Sequence, residues 1–226
     1  MKFTIDSSIS IKLGYLHLSG CQVAESDSSL CDIYDALKEK TRNYFEVTAI
    51  GEHPTALSVR RLFKSMGIDP TRYRPSGEAL VRRIVKDQAL RSINCIVDIN
   101  NICSIESLFP IGVYNRENII GDVHIRIGEE NETYSGIGRD INIAGKLVSA
   151  DREGAFGSPI ADSERTKVSI DTRDILVLLY APASTENRPI RDTLIRFSQL
   201  AREHAGAQTG EMGILPDAKG YTPVPE

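Results

Sequence analysis

Helical and strand periodicity occupy different stretches of this chain, and that segregation limits the possible folds more than any single motif does. From Ser29 the apolar residues Leu30, Ile33, Tyr34, Leu37, Tyr44 and Phe45 recur at spacings of three, four and seven, which predicts an amphipathic helix capped by Ser28 or Ser29. The His53-Pro54 pair resets the chain. Val59, Leu62, Phe63 and Met66 repeat the helical spacing up to a stop at Gly67, and Leu80, Val81, Ile84 and Val85 make one face of a third helix behind Pro75 and Ser76. Strand-like patterns fall at residues 9–18, at Val123, Ile125 and Ile127, and in the apolar run ILVLLYAP at 175–182. Residues 93–109 read as short apolar pieces, INCIVDINN and then ICSIESLF, and glycines at 128, 136, 138, 145, 154 and 157 cut the later chain into brief segments. A last helix opens at Asn187 and Pro189 with Ile190, Leu194, Phe197 and Ala201 on one side. Strands and helices do not alternate regularly and no solenoid-like repeat is present, so the prediction is an α+β fold of mixed short-strand sheets. Its helices concentrate in the N-terminal half, with one more near the C-terminus.

With 226 residues, 41% apolar and 26% charged, the chain has enough material for one sizeable core. We expect a single domain over residues 1–205, with a helical basic part at about 29–91, a motif-bearing part at about 92–182, and an extended or mobile Gly/Pro-rich tail at 206–226. No apolar run approaches the ~20 residues of a membrane helix, and the opening MKFTIDSSISIKLGYL lacks a signal-peptide core. Cys21, Cys31, Cys95 and Cys103 form no C-x-x-C pair and are read as reduced thiols in a cytoplasmic protein. The net charge of −4 argues against a protein that coats nucleic acid, yet residues 60–91 carry nine basic side chains against three acidic ones. That stretch is either a solvated pair of helix faces or a phosphate-facing patch.

Standard chemical motifs are missing. GIGRDI at 136–141 lacks the third glycine of a dinucleotide fingerprint, and there is no phosphate-binding G-x-x-x-x-G-K-[ST], no G-x-S-x-G and no H-E-x-x-H, so neither a cofactor nor a metal is expected. His17, His53, His124 and His204 are isolated in sequence and read as structural or surface residues rather than ligands or bases. Two polar clusters remain. Asn94, Asp98, Asn100 and Asn101 interrupt the apolar run around Cys95, Ile96, Val97 and Ile99, and they either brace a helix or line a cavity. Ser158, Asp162, Ser163, Arg165 and Thr166 sit in a Gly/Pro-flanked loop.

The run NCIVDINNICSIESLFPIGVYN, the strand into Arg126, then NETYSG, LVSAD, GAFG and TKVSIDTRDILVLL, resembles in order and spacing the B3/B4 module of the phenylalanyl-tRNA synthetase β chain. The resemblance spans roughly residues 75–182, and RYRPSGEALVRR before it looks like the corresponding segment of freestanding relatives. Val97, Asp98, Asn101, Glu106, Pro110 and Tyr114 stand where that module has Val, Asp, Asn, Glu, Pro and an aromatic. Its histidine falls at Gly112, its following aspartate at Asn115, and its D-G-T-E portion near Ser135–Gly138 without an acid in place.

The resemblance implies a B3/B4-like fold and a freestanding hydrolase that edits mischarged aminoacyl-tRNA, cleaving the ester with a positioned water. A second site of this kind supplies discrimination that a single apolar pocket cannot. Within it, Asn100 and Asn101 are expected as amide donors placing the ester and its water, Ser76 and Arg126 as orienting groups, and Gly136 as a point of close backbone approach. Asp162 and Ser163 would read the amino group or a side-chain hydroxyl, and Arg60, Arg61, Arg72, Arg74, Arg82 and Arg83 would meet tRNA phosphates. The partner implied is tRNA, with neither DNA nor membrane. A noncatalytic RNA-binding module and a site for a free amino acid or amine are the alternatives.

Overall fold

A computed structural model describes residues 1–216. The chain runs β1 (Phe3–Ile5), β2 (Ile11–Ser19), α1 (Ser28–Tyr44), α2 (Pro54–Ser65), α3 (Ser76–Val85), α4 (Cys95–Ser107), β3 (Ile111–Asn115), β4 (Val123–Ile127), β5 (Thr133–Gly136), β6 (Arg139–Asn142), β7 (Leu147–Asp151), β8 (Gly154–Gly157), β9 (Ile175–Pro182), α5 (Asn187–Ala205) and β10 (Gln208–Leu215). This is the expected α+β class. One sheet has the order β10-β2-β9-β3, all antiparallel, and the second has the order β1-β4-β7-β8 with β1 parallel to β4; β5 and β6 form a separate hairpin.

Strand β9 is apolar at every position because both faces are covered. Ile175, Val177, Leu179 and Ala181 point into a core shared with the helices, while Leu176, Leu178 and Tyr180 point into a core shared with the second sheet. Ile111 and Val113 of β3 follow the first set, and Tyr114 follows the second. Helix α5 buries Ile190, Leu194, Phe197 and Ala201, the stripe its spacing predicts.

Three expectations change. Asp27, rather than Ser28 or Ser29, caps α1, its carboxylate accepting from the Leu30 N–H at 2.8 Å. The fragments at 93–109 form one helix, α4, capped by Asn94, which accepts from the Val97 N–H at 2.9 Å. Residues 208–215 of the expected tail are a strand of the first sheet, paired to β2, because Met212 completes the helix-side core; the rest of that tail, 217–226, lies outside the described residues. No helix among the described residues is long and apolar enough to cross a membrane.

The basic stretch is partly internal. Glu78, with no exposed side-chain surface, accepts from Arg60 at 2.8 Å and Arg82 at 2.7 Å, and Arg82 also donates to the Val47 carbonyl at 2.9 Å. These bonds pin α2, α3 and the 47–52 turn together, so Arg60 and Arg82 are structural and leave the set of candidate phosphate ligands. Removing the carboxylate would strand two arginines in a low-dielectric setting, so Glu78→Ala is expected to destabilise the fold by about 3 kcal/mol, measured by urea denaturation. A loss below about 1 kcal/mol would show that water already screens this triad.

Candidate functional site

Four residues that each carry a buried side-chain oxygen with no hydrogen-bond partner, Ser76 (Oγ), Asn100 (Oδ1), Ser104 (Oγ) and Asp162 (Oδ1), line the same pocket of about 370 Å³. Leaving such an atom unpaired costs about 1–3 kcal/mol, so their convergence makes this pocket the candidate site.

One wall is α4. Val97, Asn100, Asn101 and Ser104 stand at i, i+3, i+4 and i+7 and share a face of that helix. The helix is held by Asp98, which points away from the pocket and accepts from Ser26 Oγ at 2.6 Å, from Ser92 Oγ, and from the Ile93 N–H at 3.3 Å. Asp98 is thus a brace. Asn100 donates Nδ2 to the Ile111 carbonyl at 3.4 Å, so its amide donor is already engaged within the chain while its Oδ1 is buried without a partner. Asn101 lies beside the Tyr34 phenol, whose pKa burial pushes up to about 12. Ile111 and Val113 of β3 line the pocket too, and Ser76 brings the N-terminus of α3, the positive end of a helix dipole.

The wall opposite in sequence is the loop after β8. Gly157 pairs with Asp162, the Ser163 N–H donates to the Phe156 carbonyl at 3.0 Å, and Ser158 Oγ and the Tyr134 hydroxyl both bond the Ala161 carbonyl, at 2.9 and 2.5 Å. This closed turn holds Asp162 at the pocket. Burial pushes its carboxyl up to about 7, against a hydrogen bond from Tyr114 that favours the carboxylate. Behind it the Tyr114 hydroxyl lies 3.3 Å from that of Tyr180, which lies 2.7 Å from Ser149 Oγ.

Ser76, Asn100, Asn101 and Asp162 line one pocket, with the phosphate candidate Arg83 at its edge, and the other candidates lie elsewhere. Arg126 makes a bidentate pair with Glu132, both bonds 2.7 Å, and locks the bend after β4. A Cβ on Gly136 would sit 2.5 Å from Ile141 Cγ1, so this glycine serves hairpin packing. Ser163 is turned inward against Thr166 Oγ1 at 3.0 Å. Arg61, Arg72 and Arg74 are exposed, and Arg83 at the pocket edge gives one nitrogen to the Ala89 carbonyl at 2.7 Å. Ser104 was missed, although its spacing from Asn100 would have revealed it once α4 was seen as continuous. No group of three or more His, Cys, Asp or Glu able to hold a metal exists among the described residues.

The B3/4 domain family matches residues 58–197, more than half of the chain and the whole of this pocket. The chain belongs to the B3/4 domain family. It is 34% identical over 91 residues to the phenylalanine–tRNA ligase beta subunit of Bartonella henselae (strain ATCC 49882 / DSM 28221 / CCUG 30454 / Houston 1) and 33% identical over 91 residues to that of Bartonella quintana (strain Toulouse); each match covers 39% of this chain. This B3/4 chain matches only 11% of the length of those two relatives. Its fold resembles an N-terminal fragment of the phenylalanyl-tRNA synthetase beta-subunit from Pyrococcus horikoshii, with TM-score 0.51 and 13% identity over 96% of this chain and 54% of that one.

The departure at Gly112 has a steric cause in this B3/4 domain. A Cβ there would lie 2.1 Å from the Tyr114 hydroxyl, and one on Gly157 would lie 2.3 Å from it. The phenol, fully buried and edge-on to Phe156 at 4.9 Å, fills the space that a side chain at 112 would need.

Asp162 makes a pH prediction. Its folded pKa of about 7 lies above the ordinary 3.8, so between about pH 4 and 7 the native state keeps a proton that the unfolded chain has lost. This group's contribution is therefore present at low pH and lost as pH rises through 7. Asp162→Asn should flatten that fall in urea-denaturation midpoints, and Tyr114→Phe should shift it to higher pH. A slope unchanged in Asp162→Asn would contradict the assignment.

Proposed function

We propose that this B3/4 domain hydrolyses the ester of mischarged aminoacyl-tRNA, using a water held in the pocket of Ser76, Asn100, Asn101, Ser104 and Asp162. The observation that carries this reading is the convergence of four unpartnered polar atoms in one cavity of a B3/4 domain. An aminoacyl group supplies what these atoms lack. Its ammonium has three N–H donors for acceptors such as Asn100 Oδ1 and the serine hydroxyls, and its side chain fits against Leu80, Val97, Ile111, Val113 and Ile160.

Asp162 takes the proton of the attacking water. A base is most effective with a pKa near the working pH, and burial has moved this carboxyl there. The positive end of α3 at Ser76 faces the charge that develops on the carbonyl oxygen. An activated ester needs neither metal nor covalent nucleophile, because positioning supplies much of the barrier reduction. The similarity to phenylalanine–tRNA ligase beta subunits supports tRNA as the carrier. Exposed Arg61, Arg72, Arg74 and Arg83 are then the phosphate ligands of the basic stretch.

The test is release of labelled amino acid from a panel of correctly and incorrectly charged tRNAs. Hydrolysis confined to particular mischarged species is expected. Asp162→Asn should lower kcat about 100-fold or more with little change in KM, and Asn101→Ala should also lower the rate. The wild-type rate should rise with pH to a plateau above about 7, as Asp162 loses its proton. Salt-sensitive tRNA binding with no hydrolysis across the panel would instead identify a noncatalytic RNA-binding module.

A further inference from the structure

A second cavity, of about 350 Å³, opens where the inter-sheet core reaches the surface, and it shares no residue with the ester pocket. Strand β2 alternates, so Leu16 and Leu18 enter the helix-side core while Leu13, Tyr15 and His17 face the other way. Tyr15 and His17 reach the cavity. Two glycines of β10 seat their rings: a Cβ on Gly210 would lie 3.1 Å from His17 Nδ1, and one on Gly213 would lie 2.6 Å from the Tyr15 ring. Phe3 of β1 stacks on Tyr15 with centroids 4.6 Å apart, and Leu176 of β9 completes an apolar wall.

Two nitrogen-bearing groups at this wall are unmatched. His17 Nε2 is buried with no hydrogen-bond partner. Arg116, half-buried just after β3, donates its backbone N–H to the Asp174 carbonyl at 2.9 Å, but its guanidinium has no partner among the described residues. Every other half-buried arginine of the described residues meets an acid. Arg60 and Arg82 pair with Glu78, Arg126 with Glu132 at 2.7 Å, Arg165 with Asp151 at 2.9 Å and Arg196 with Glu106 at 3.5 Å. A partly desolvated cation is costly to leave alone, and the planar fork of a guanidinium matches a carboxylate. Glu211 also lines the cavity, but it is exposed and makes no ion pair with Arg116. Its charge acts at the aromatic wall instead, where burial and then Glu211 raise the Tyr15 phenol above its ordinary pKa.

We propose that this cavity is a second ligand site, for a small monocarboxylate with an apolar body. The carboxylate accepts from the Arg116 guanidinium and from the Nε2–H of His17, and the body lies along Phe3, Tyr15 and Leu176. Glu211 sets the charge limit. Arg116 matches a single negative charge, whereas the second charge of a phosphate monoester meets the Glu211 carboxylate. The site does not depend on the ester-hydrolase reading, because no residue is common to the two cavities.

The probes are benzoate, phenyl phosphate and benzyl alcohol, which share a phenyl ring and differ in charge. Their binding is measured by ligand-detected NMR titration of the full chain. The wild type should bind benzoate at least about tenfold more tightly than either of the others. Arg116→Gln should lose the preference for benzoate over benzyl alcohol and keep the wild-type melting temperature, since this guanidinium holds nothing else in the fold. Glu211→Gln should keep benzoate bound and narrow the gap between benzoate and phenyl phosphate.

Four results would overturn the assignment: benzoate bound no more tightly than benzyl alcohol, a benzoate preference that survives in Arg116→Gln, phenyl phosphate bound more tightly than benzoate by the wild type, or a gap between those two anions unchanged in Glu211→Gln.

Discussion

The carboxylate of Asp98 is the constraint on which the pocket depends. Buried to 1% exposure, it collects hydrogen bonds from Ser26, Ser92 and the Ile93 backbone, and so ties two connecting segments to the first turn of α4. A buried charge with three donors is stabilised where an unpaired one would be expelled. Fixing that side of α4 fixes the opposite one, because positions 97, 100, 101 and 104 are set by the same helical phase. The pocket face is therefore positioned by a bond network it does not share.

Polar groups on the two sides of α4 are treated in contrasting ways, and the contrast has physical meaning. Asn94 and Asp98 are satisfied within the chain, whereas Asn100 Oδ1 and Ser104 Oγ, on the same helix, are not. Intramolecular bonding on one side gives rigidity. Unmet bonding capacity on the other is what the proposed ester site requires, since the cost of aligning those groups is met in folding rather than on binding. Asp162 extends this logic. Its loop is closed by backbone bonds on both arms, yet one carboxylate oxygen is left bare, and Tyr114, Tyr180 and Ser149 form a buried chain behind it.

The sequence made the periodic elements legible and left the pairings hidden. Strand β9 could be read to the residue, and the stripe of α5 likewise, because each has an unbroken pattern. Helix α4 could not. Ile96, Val97, Ile99, Ile102 and Ile105 are β-branched, which lowers helix propensity, and burial on nearly all sides erases the amphipathic signal. Its end at Leu108, in the left-handed conformation with φ of 61°, has no glycine to announce it. Among site residues, Asp162 and Ser163 had equal standing as loop polars, but adjacent residues in extended chain face opposite ways, so only one reaches the cavity. Arg126, Arg60 and Arg82 were misplaced for a shared reason. A sequence displays a cation without displaying the acid that folding brings to it, Glu132 in the first case and Glu78 in the others.

That same pairing resolves how an acidic chain can present a cationic face. The acids within residues 60–91 are occupied: Glu78 by two arginines, Asp87 by Arg42 at 3.2 Å, and Asp69 by the Thr71 N–H of its own turn at 2.8 Å. Arg61, Lys64, Arg72, Arg74, Arg83, Lys86 and Arg91 remain at or near the surface of this one region. At physiological ionic strength charges interact over only about 8 Å, so the excess acid elsewhere on the molecule is screened from a phosphate approaching here. The net charge of −4 then works against indiscriminate coating of polyanions, while the local field still favours one docked end. For a site whose candidate substrate is the terminus of a polymer, that balance selects an end over the length of the chain that carries it.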